Sequence, residues 1–578
     1  MHRDSSPPTP CLRWLWVCAL TLCASLSIAT RATGDAATAG TGHAVAPDHS
    51  AAEIFPVVVS DGAGGAFIAI KESPSLDVLV AHVDVSGQPV PSWAQIPIPG
   101  LYYSRTPPHV AAATSGSAWL VPEHFFPGAS NTPYLVRAVA ASGPTTPDPS
   151  WVVGTTHNFN SVHQIGAGRA LITGKTGLWV QGANGSLSLA FVEATGTVTD
   201  IPTAIGLPGA WAYRTAVPEL GLTALDDGAG GAWVLCEYSV ASDPSMDFYR
   251  NVAAVRIGPD GTPATVPAAR IVCSATGEQS EADLVGDGGG GALIVWTDHR
   301  DPAKAGDIYA SHLLGDGALA AGWPINGKAV ASAAGDQFQP RAVPDAAGGA
   351  WLVWTDARSG ENDIYYTHFT GNGSPAPGFA AGARPLCAAA GSQISPRITA
   401  DGEGGFYAVW LDGRDGEQDL YGQHIHETGE VMPGWTDGGL PICTEASEQG
   451  AADVVLSSPH HGLATWTDSR TGYPKVYAAA MPEDASVAGV PLGRAMHLSL
   501  APLVNPARDG VELRLSSPDD GPIRVALVDV IGRVRAEQIL SGPVRDVRVR
   551  FDPPGPGLYF LKAEQRGALA SGRVAVVL

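Results

Sequence analysis

Between Gln337 and Gln393 the chain reads QFQPRAVPDAAGGAWLVWTDARSGENDIYYTHFTGNGSPAPGFAAGARPLCAAAGSQ. Its apolar runs are short, rich in aromatic and β-branched residues, and broken by Gly, Asp and Ser, which is strand-and-turn patterning. Landmarks fall in a fixed order: Pro340, Asp345, the pair Gly348-Gly349, the run Ala350–Trp354, then Asp356 and Arg358. Asp363, Tyr365, His368, Gly373 and Phe379 follow, and Pro385–Cys387 closes the unit. Four runs fill the stretch, the number of strands in one antiparallel propeller blade.

Variants of this unit recur. With Trp354 as anchor, the equivalent positions are Ile70, Pro122, Gly174, Cys236, Trp296, Trp354, Trp410 and Trp466. They are separated by 52, 52, 62, 60, 58, 56 and 56 residues, a period that signals a propeller or solenoid. Leu79, Tyr134, Tyr309, Tyr365, Tyr421 and Tyr477 repeat a second landmark. Trp93, Trp151, Trp323, Phe379 and Trp435 repeat a third. The sequence predicts an all-β chain: a β-propeller of eight four-stranded blades followed by a small Ig-like β-sandwich. The count becomes seven if the unit around Ala170–Val192, which lacks the Asp and Arg steps, is a distorted insertion.

The termini differ in texture. Residues 1–32 carry Arg3 and Arg13 ahead of an apolar run from Trp14 to Ile28, the pattern of a cleaved signal peptide. No later run reaches the roughly 18 apolar residues of a transmembrane helix. Residues 33–44 are an Ala/Gly/Thr-rich flexible lead-in, 45–481 the propeller, 482–496 a linker, and 497–578 the C-terminal domain. In that last domain VELRL, IRVALVDV, VRDVRVRF, GLYFLKAE and GRVAVVL alternate with turns at Asp519-Asp520-Gly521, Ile531-Gly532 and Pro556-Gly557.

Charge narrows the partners. The formal net charge is −22. The leader to Ala29 accounts for +1 and the tail from His497 for +2, which leaves about −25 on the body. Such a body repels nucleic acid and anionic membranes and tolerates cations. Seven cysteines fall to four after leader cleavage: Cys236, Cys273, Cys387 and Cys443. The last three share one repeat position in different blades, too far apart for a bridge, and read as buried free thiols.

Several constellations are candidates for chemistry. The sets Trp296/Asp298/Arg300/Asp307, Trp354/Asp356/Arg358/Asp363, Trp410/Asp412/Arg414/Asp419 and Trp466/Asp468/Arg470 recur blade after blade. A catalytic site is needed once, so this repetition points to a structural pair in which the Arg fork grips a carboxylate. Asp412, Asp415, Glu417 and Asp419 offer closely spaced oxygens for calcium but do not match an EF-hand loop. Solvated turn residues are the simpler reading, and no metal or cofactor is required. His424 and His426 alternate on a strand, and His460-His461 lies in a turn without a spaced third ligand, which argues against zinc. The DGxGG turns join strand to strand and lack the helix end that phosphate loops use. Non-repeating residues of the degenerate blades, Glu123, His124, Glu219, Glu237 and Tyr238, are candidates for a catalytic site in a central pit.

The unit GGAWLVWTDARSGENDIYY resembles the GGA-x-x-x-W-x-D-x-R … D-I-Y repeat of large secreted bacterial β-propeller proteins, a likeness that implies fold and not activity. The tail resembles the type A sorting domain of the type IX (Por) secretion system and the Ig-like domain of flagellar hook-capping proteins. Asn505, Pro506, Asp529, Gly532, Arg533, Gly557 and Tyr559 carry that likeness, with RVAVV at Arg573–Val577. It implies export to the cell surface or medium through outer-membrane secretion machinery. The leading expectation is a secreted binding or scaffold propeller for a polysaccharide or protein ligand. The rival is a secreted polysaccharide hydrolase or lyase with its site in the central pit. A pit holding convergent carboxylates and an Arg favours the enzyme, and an apolar, repeat-equivalent pit favours the scaffold.

Overall fold

The structure of the chain is a computed structural model. It describes residues 42–46, 52–90 apart from 74 and 76, 250–264, and 269–483 apart from 302–304, 380, 381 and 459. The strands and tight turns between 108 and 239 and between 499 and 576 are also described. Among the described residues every regular element is a strand, and none is a helix long and apolar enough to cross a membrane.

The quoted unit folds as its landmarks predict. Gln337–Pro344, Ala350–Asp356, Asp363–Phe369 and Arg384–Cys387 form one four-stranded antiparallel sheet in sequence order. Trp354 lies opposite Tyr365, as Trp296 does Tyr309, Trp410 does Tyr421 and Trp466 does Tyr477. Four-stranded sheets of this kind follow one another along the chain. The first strand of each contacts the first strand of the next, and Ala52–Ser60 in turn contacts Gln449–Ser458. This is the sheet-after-sheet arrangement of a β-propeller. The core lies between facing sheets: Val285, Leu293 and Val295 of one pack with Leu352, Trp354 and Phe369 of the next. Each sheet is therefore apolar on both faces, which is why Ala292–Asp298 and Ala350–Asp356 are buried at every residue.

The ends of the circuit are tied by chemistry that the repeat period does not display. His43–Ala44 pairs with Lys475–Pro482 as the outer strand of the last sheet, which corrects the reading of 33–44 as a flexible lead-in throughout. Gly42 has a φ of 60°, and a Cβ there would lie 2.2 Å from Trp466, so the close approach requires glycine. Glu53 takes the place that Gln337 holds in its own sheet. It receives Lys475 Nζ at 2.6 Å and the Val476 amide at 2.9 Å. Lys475 stands where the other sheets carry Asp307, Asp363 and Asp419, because it alone must meet Glu53 across the junction between first and last sheets.

In the tail, Val511–Asp529 and Val534–Phe551 are two long paired strands, flanked by Ser499–Pro502, Gly557–Gln565 and Ala568–Val576 in one five-stranded sheet. The expected turn at Asp519-Asp520-Gly521 does not form. The ladder shifts register between Ser517 and Gly521 and resumes with Gly521 opposite Gly542, as a bulge lets a strand bend without ending. Val511, Ile523, Val525, Leu527, Val549, Phe551, Tyr559 and Leu561 share one buried cluster. Asp529 caps its turn, accepting from the Arg533 amide at 2.9 Å and Arg535 Nε at 2.8 Å, while Tyr559 Oη donates to the Gly555 carbonyl. Gly557 opens its strand; Asn505, Pro506 and Gly532 lie outside the described residues.

Candidate functional site

The recurring Trp–Asp–Arg set is a clamp. Asp356 is fully buried and accepts from Trp354 Nε1 at 2.8 Å, the Arg358 amide at 3.0 Å, Arg358 Nε at 2.8 Å and Arg358 Nη2 at 2.6 Å. Asp298 and Asp412 repeat the same bonds with Trp296/Arg300 and Trp410/Arg414. Asp468 accepts from the Arg470 amide and Nη2 but not from Arg470 Nε or Trp466 Nε1, and takes Ser447 Oγ at 2.7 Å. Each guanidinium lies over the cross-strand tyrosine: Arg300 over Tyr309, Arg358 over Tyr365, Arg414 over Tyr421 and Arg470 over Tyr477, all 3.8–4.1 Å from the ring centre. Cys273, Cys387 and Cys443 are free and buried, and each sulfur receives an Arg Nη2 from this clamp. Burial pushes the Cys273 thiol up to about 11 and those of Cys387 and Cys443 up to about 12, so they stay protonated and inert.

The following aspartates stand apart from the clamp. Asp419 lies directly across the ladder from Asp412, and Asp363 from Asp356, but neither makes an ion pair with the neighbouring arginine. Burial, then the charges of Asp415, Asp412 and Glu417, push the Asp419 carboxyl up from 3.8 to about 6. The proton is held more tightly in the folded chain than in the unfolded one. The stability from protonation is therefore fully present below about pH 4 and lost as pH rises through about 6. Asp419→Asn should stabilise the protein at pH 7 by about 1–2 kcal/mol and change little near pH 3.5. Urea melts at the two pH values test this, and equal shifts at both would reject ionisation as the cause.

As for the calcium candidates, Asp412, Asp415, Glu417 and Asp419 do not converge as a trio of ligand atoms. Among the described residues, such a trio forms at Glu403, His460 and Glu483, with ligand atoms within 4.8 Å of one another. His460 Nδ1 lies 3.3 Å from Glu403 Oε1 and 3.6 Å from Glu483 Oε2. Three distant segments supply this third-ligand set, which sequence spacing around His460 does not reveal. All three side chains are well exposed, so water competes with any pairing there. Four other histidines brace turns: Nε2 of His82, His312, His368 and His424 bonds Asp61, Asp287, Asp345 and Asp401 of the DGxGG-type turns at 2.8–3.2 Å. Arg256 does the same for Asp227.

Of the proposed catalytic set, Glu123, His124 and Glu219 lie outside the described residues. Glu237 is buried between Arg250 Nη1 at 3.1 Å and the Ala282 amide of the next sheet at 2.9 Å. Tyr238 is buried in an apolar cluster, and burial pushes its hydroxyl up to about 12. Among the described residues Glu237 ties neighbouring sheets and Tyr238 fills the core.

A different layer of side chains converges at the innermost strands. Five of them kink at a non-glycine residue of positive φ: Phe55, Glu281, Gln339, Ser395 and Ala451, at 43–58°. The ladder slips one step at each kink. Bulges of this kind re-aim the residues that follow. Resuming the ladder are Val57, Asp283, Arg341, Arg397 and Asp453, one per sheet at the same depth, each half-buried. The carboxylates are anchored: Asp283 Oδ2 accepts from the Ala342 amide at 3.0 Å and Asp453 Oδ2 from the Val58 amide at 3.4 Å, each in the next sheet. Glu281 Oε2 accepts from Thr297 Oγ1 and the Gln339 amide. Burial raises the Asp453 carboxyl above the ordinary carboxylate range, although Arg397 and Arg341 oppose it. Burial and the charge of Arg341 lower the Arg397 guanidinium, against Asp453, Asp283 and Glu281. Four strands thus bring carboxylates and guanidiniums within electrostatic reach of one another at the propeller's centre.

A second concavity, of about 740 Å³, opens between neighbouring sheets beside Tyr366, Arg384, Arg414 and Glu430. Its arginines are committed, Arg384 to the Gly378 and Gly429 carbonyls and Arg414 to Asp412 and the Gly438 carbonyl.

No protein-family model matches the chain. No curated protein matches it by sequence. Solved structures with related strand arrangements include the β-propeller domain of the Trilobed protease from Pyrococcus furiosus, 8% identical, covering 64% of this chain and 95% of that one at a TM-score of 0.33. Another is the α-L-arabinanase of Penicillium chrysogenum, 10% identical, covering 77% and 99% at 0.33. A third is a protein of unknown function from Dyadobacter fermentans, 11% identical, covering 65% and 93% at 0.30.

Proposed function

We propose that the protein is an exported, eight-bladed β-propeller that hydrolyses polysaccharide in its central channel. One observation carries this reading: the channel layer holds Asp283, Asp453 and Glu281 together with Arg341 and Arg397, where a pure scaffold needs only apolar repeat residues. Glycoside hydrolysis takes one carboxyl that stays protonated and another that stays ionised. Asp453, held up by burial, is the proton donor. Asp283, anchored by two amides across the channel layer, is the second carboxyl. Incubating the purified protein with a panel of plant and microbial polysaccharides and assaying new reducing ends tests it. Turnover of at least one polymer is expected. Retention on a polymer without turnover would replace the hydrolase by the second reading, a binding scaffold. That alternative is favoured by the amide bonds that make Asp283, Asp453 and Glu281 staples between sheets.

We also propose that residues 1–32 direct export, that the mature chain is displayed at the surface or released, and that the tail is the sorting signal. Deleting His497–Leu578 should leave a soluble, folded propeller that stays in the periplasm of the native host. Equal amounts of full-length and truncated protein outside the cell would reject the sorting role, and an aggregated truncation would make the tail part of the body.

A further inference from the structure

The two arginines of the channel layer differ from the arginines of the clamps and from Arg256. Arg300, Arg358, Arg414 and Arg470 grip carboxylates, and Arg256 binds Asp227. Arg341 donates Nη1 to the Pro340 carbonyl at 2.8 Å, and Arg397 donates Nη1 to the Pro396 carbonyl at 3.1 Å. Among the described residues neither has a carboxylate within ion-pairing distance. A guanidinium carries five N–H donors, so most of each fork is unspent. The nearby acids are turned toward backbone amides instead, Asp283 to Leu284 and Ala342, Asp453 to Val454 and Val58, each oxygen keeping a further lone pair.

A second feature adds a donor at the same place. Asp283 receives the amide of Ala342, and Asp453 that of Val58, from the neighbouring strand. Ile398 stands where Ala342 stands in its own sheet, opposite Ala408 as Ala342 is opposite Leu352. The preceding sheet presents Arg341 there in place of an aspartate, and no described side chain accepts from the Ile398 amide. Two like charges on adjacent strands repel, which is why Arg341 lowers Arg397. An anion between them would relieve that repulsion and fill both forks, whereas a neutral ligand would not.

We infer that the channel takes an acidic saccharide, with the carboxylate of a uronic acid residue seated between Arg341 and Arg397. The inference rests on the channel being a saccharide site and names the class of sugar. The carboxylate accepts from both guanidiniums, and the ring hydroxyls face the oxygens of Asp283, Asp453 and Glu281.

Calorimetric titration of the full mature chain with trigalacturonate, its neutral methyl ester and inorganic phosphate tests it. Trigalacturonate should bind about tenfold or more tightly than the ester, and less tightly as salt rises. Arg341→Gln and Arg397→Gln should each erase that preference while melting like the parent; the ester contrast needs no variant and so survives a folding defect. Equal binding of acid and ester would overturn the inference and leave the saccharide reading standing. Phosphate binding as tightly as trigalacturonate would also overturn it, by showing a site for any anion. Binding of neither sugar, with hydrolysis absent from the wider panel, would overturn both.

Discussion

Asp356→Ala will unfold at a markedly lower denaturant concentration than the parent, with a loss of about 3 kcal/mol. The effect is large because one fully buried carboxylate satisfies four donors. Its removal orphans the Trp354 indole N–H inside the core and leaves the Arg358 fork, still 4.1 Å over Tyr365, without its anion. Removing one partner of a buried pair costs more than the pair contributes, since the remaining charge stays desolvated. Asp356→Asn keeps an acceptor for the indole and should fall between the two. Urea unfolding of the three proteins reads the order directly. A variant that melts like the parent but loses activity would make the clamp part of a site. Nothing in the channel layer touches Asp356, so turnover per folded molecule should be unchanged.

The sequence makes the sheets legible because their determinants are local. The run Ala350–Trp354, the two-residue step to Asp356 and the step to Arg358 lie within one hairpin, and a period in the chain becomes a period in space. The clamp was readable for the same reason, although the following aspartates were not. Asp363 and Asp419 follow an arginine by five residues, yet the ladder faces them toward another carboxylate. Lys475 departs from the repeat's aspartate, and its partner Glu53 comes from the far end of the propeller. The sequence reading sought function at residues outside the repeat and so did not single out the channel layer. Asp283, Arg341, Arg397 and Asp453 occupy one repeat position whose frame stays constant while its charge varies. Their convergence depends on a positive-φ kink at Phe55, Glu281, Gln339, Ser395 and Ala451. None of these is a glycine, so no residue type announced the bulge. A variable charge four places after a buried Gln279, Gln337, Gln393 or Gln449 is the signal that was available.

Asp453→Asn should reduce polysaccharide turnover by about a hundredfold or more while leaving the fold intact. Asparagine is nearly isosteric and its carbonyl can still accept the Val58 or Val454 amide, so the tie between last and first sheets persists. What it lacks is a proton to give a leaving oxygen. If Asp453 is the acid, the variant should lose activity most severely on substrates with poor leaving groups, because those depend on protonation. An activated aryl glycoside should recover part of the rate. The decisive measurement is the rate of reducing-end release by parent and Asp453→Asn on the best polymer of the panel, alongside their melting curves. Coincident melts and a rate lower by about two orders of magnitude are expected. Coincident melts with equal rates would contradict Asp453 as the acid, and would return the channel aspartates to the role of staples between sheets.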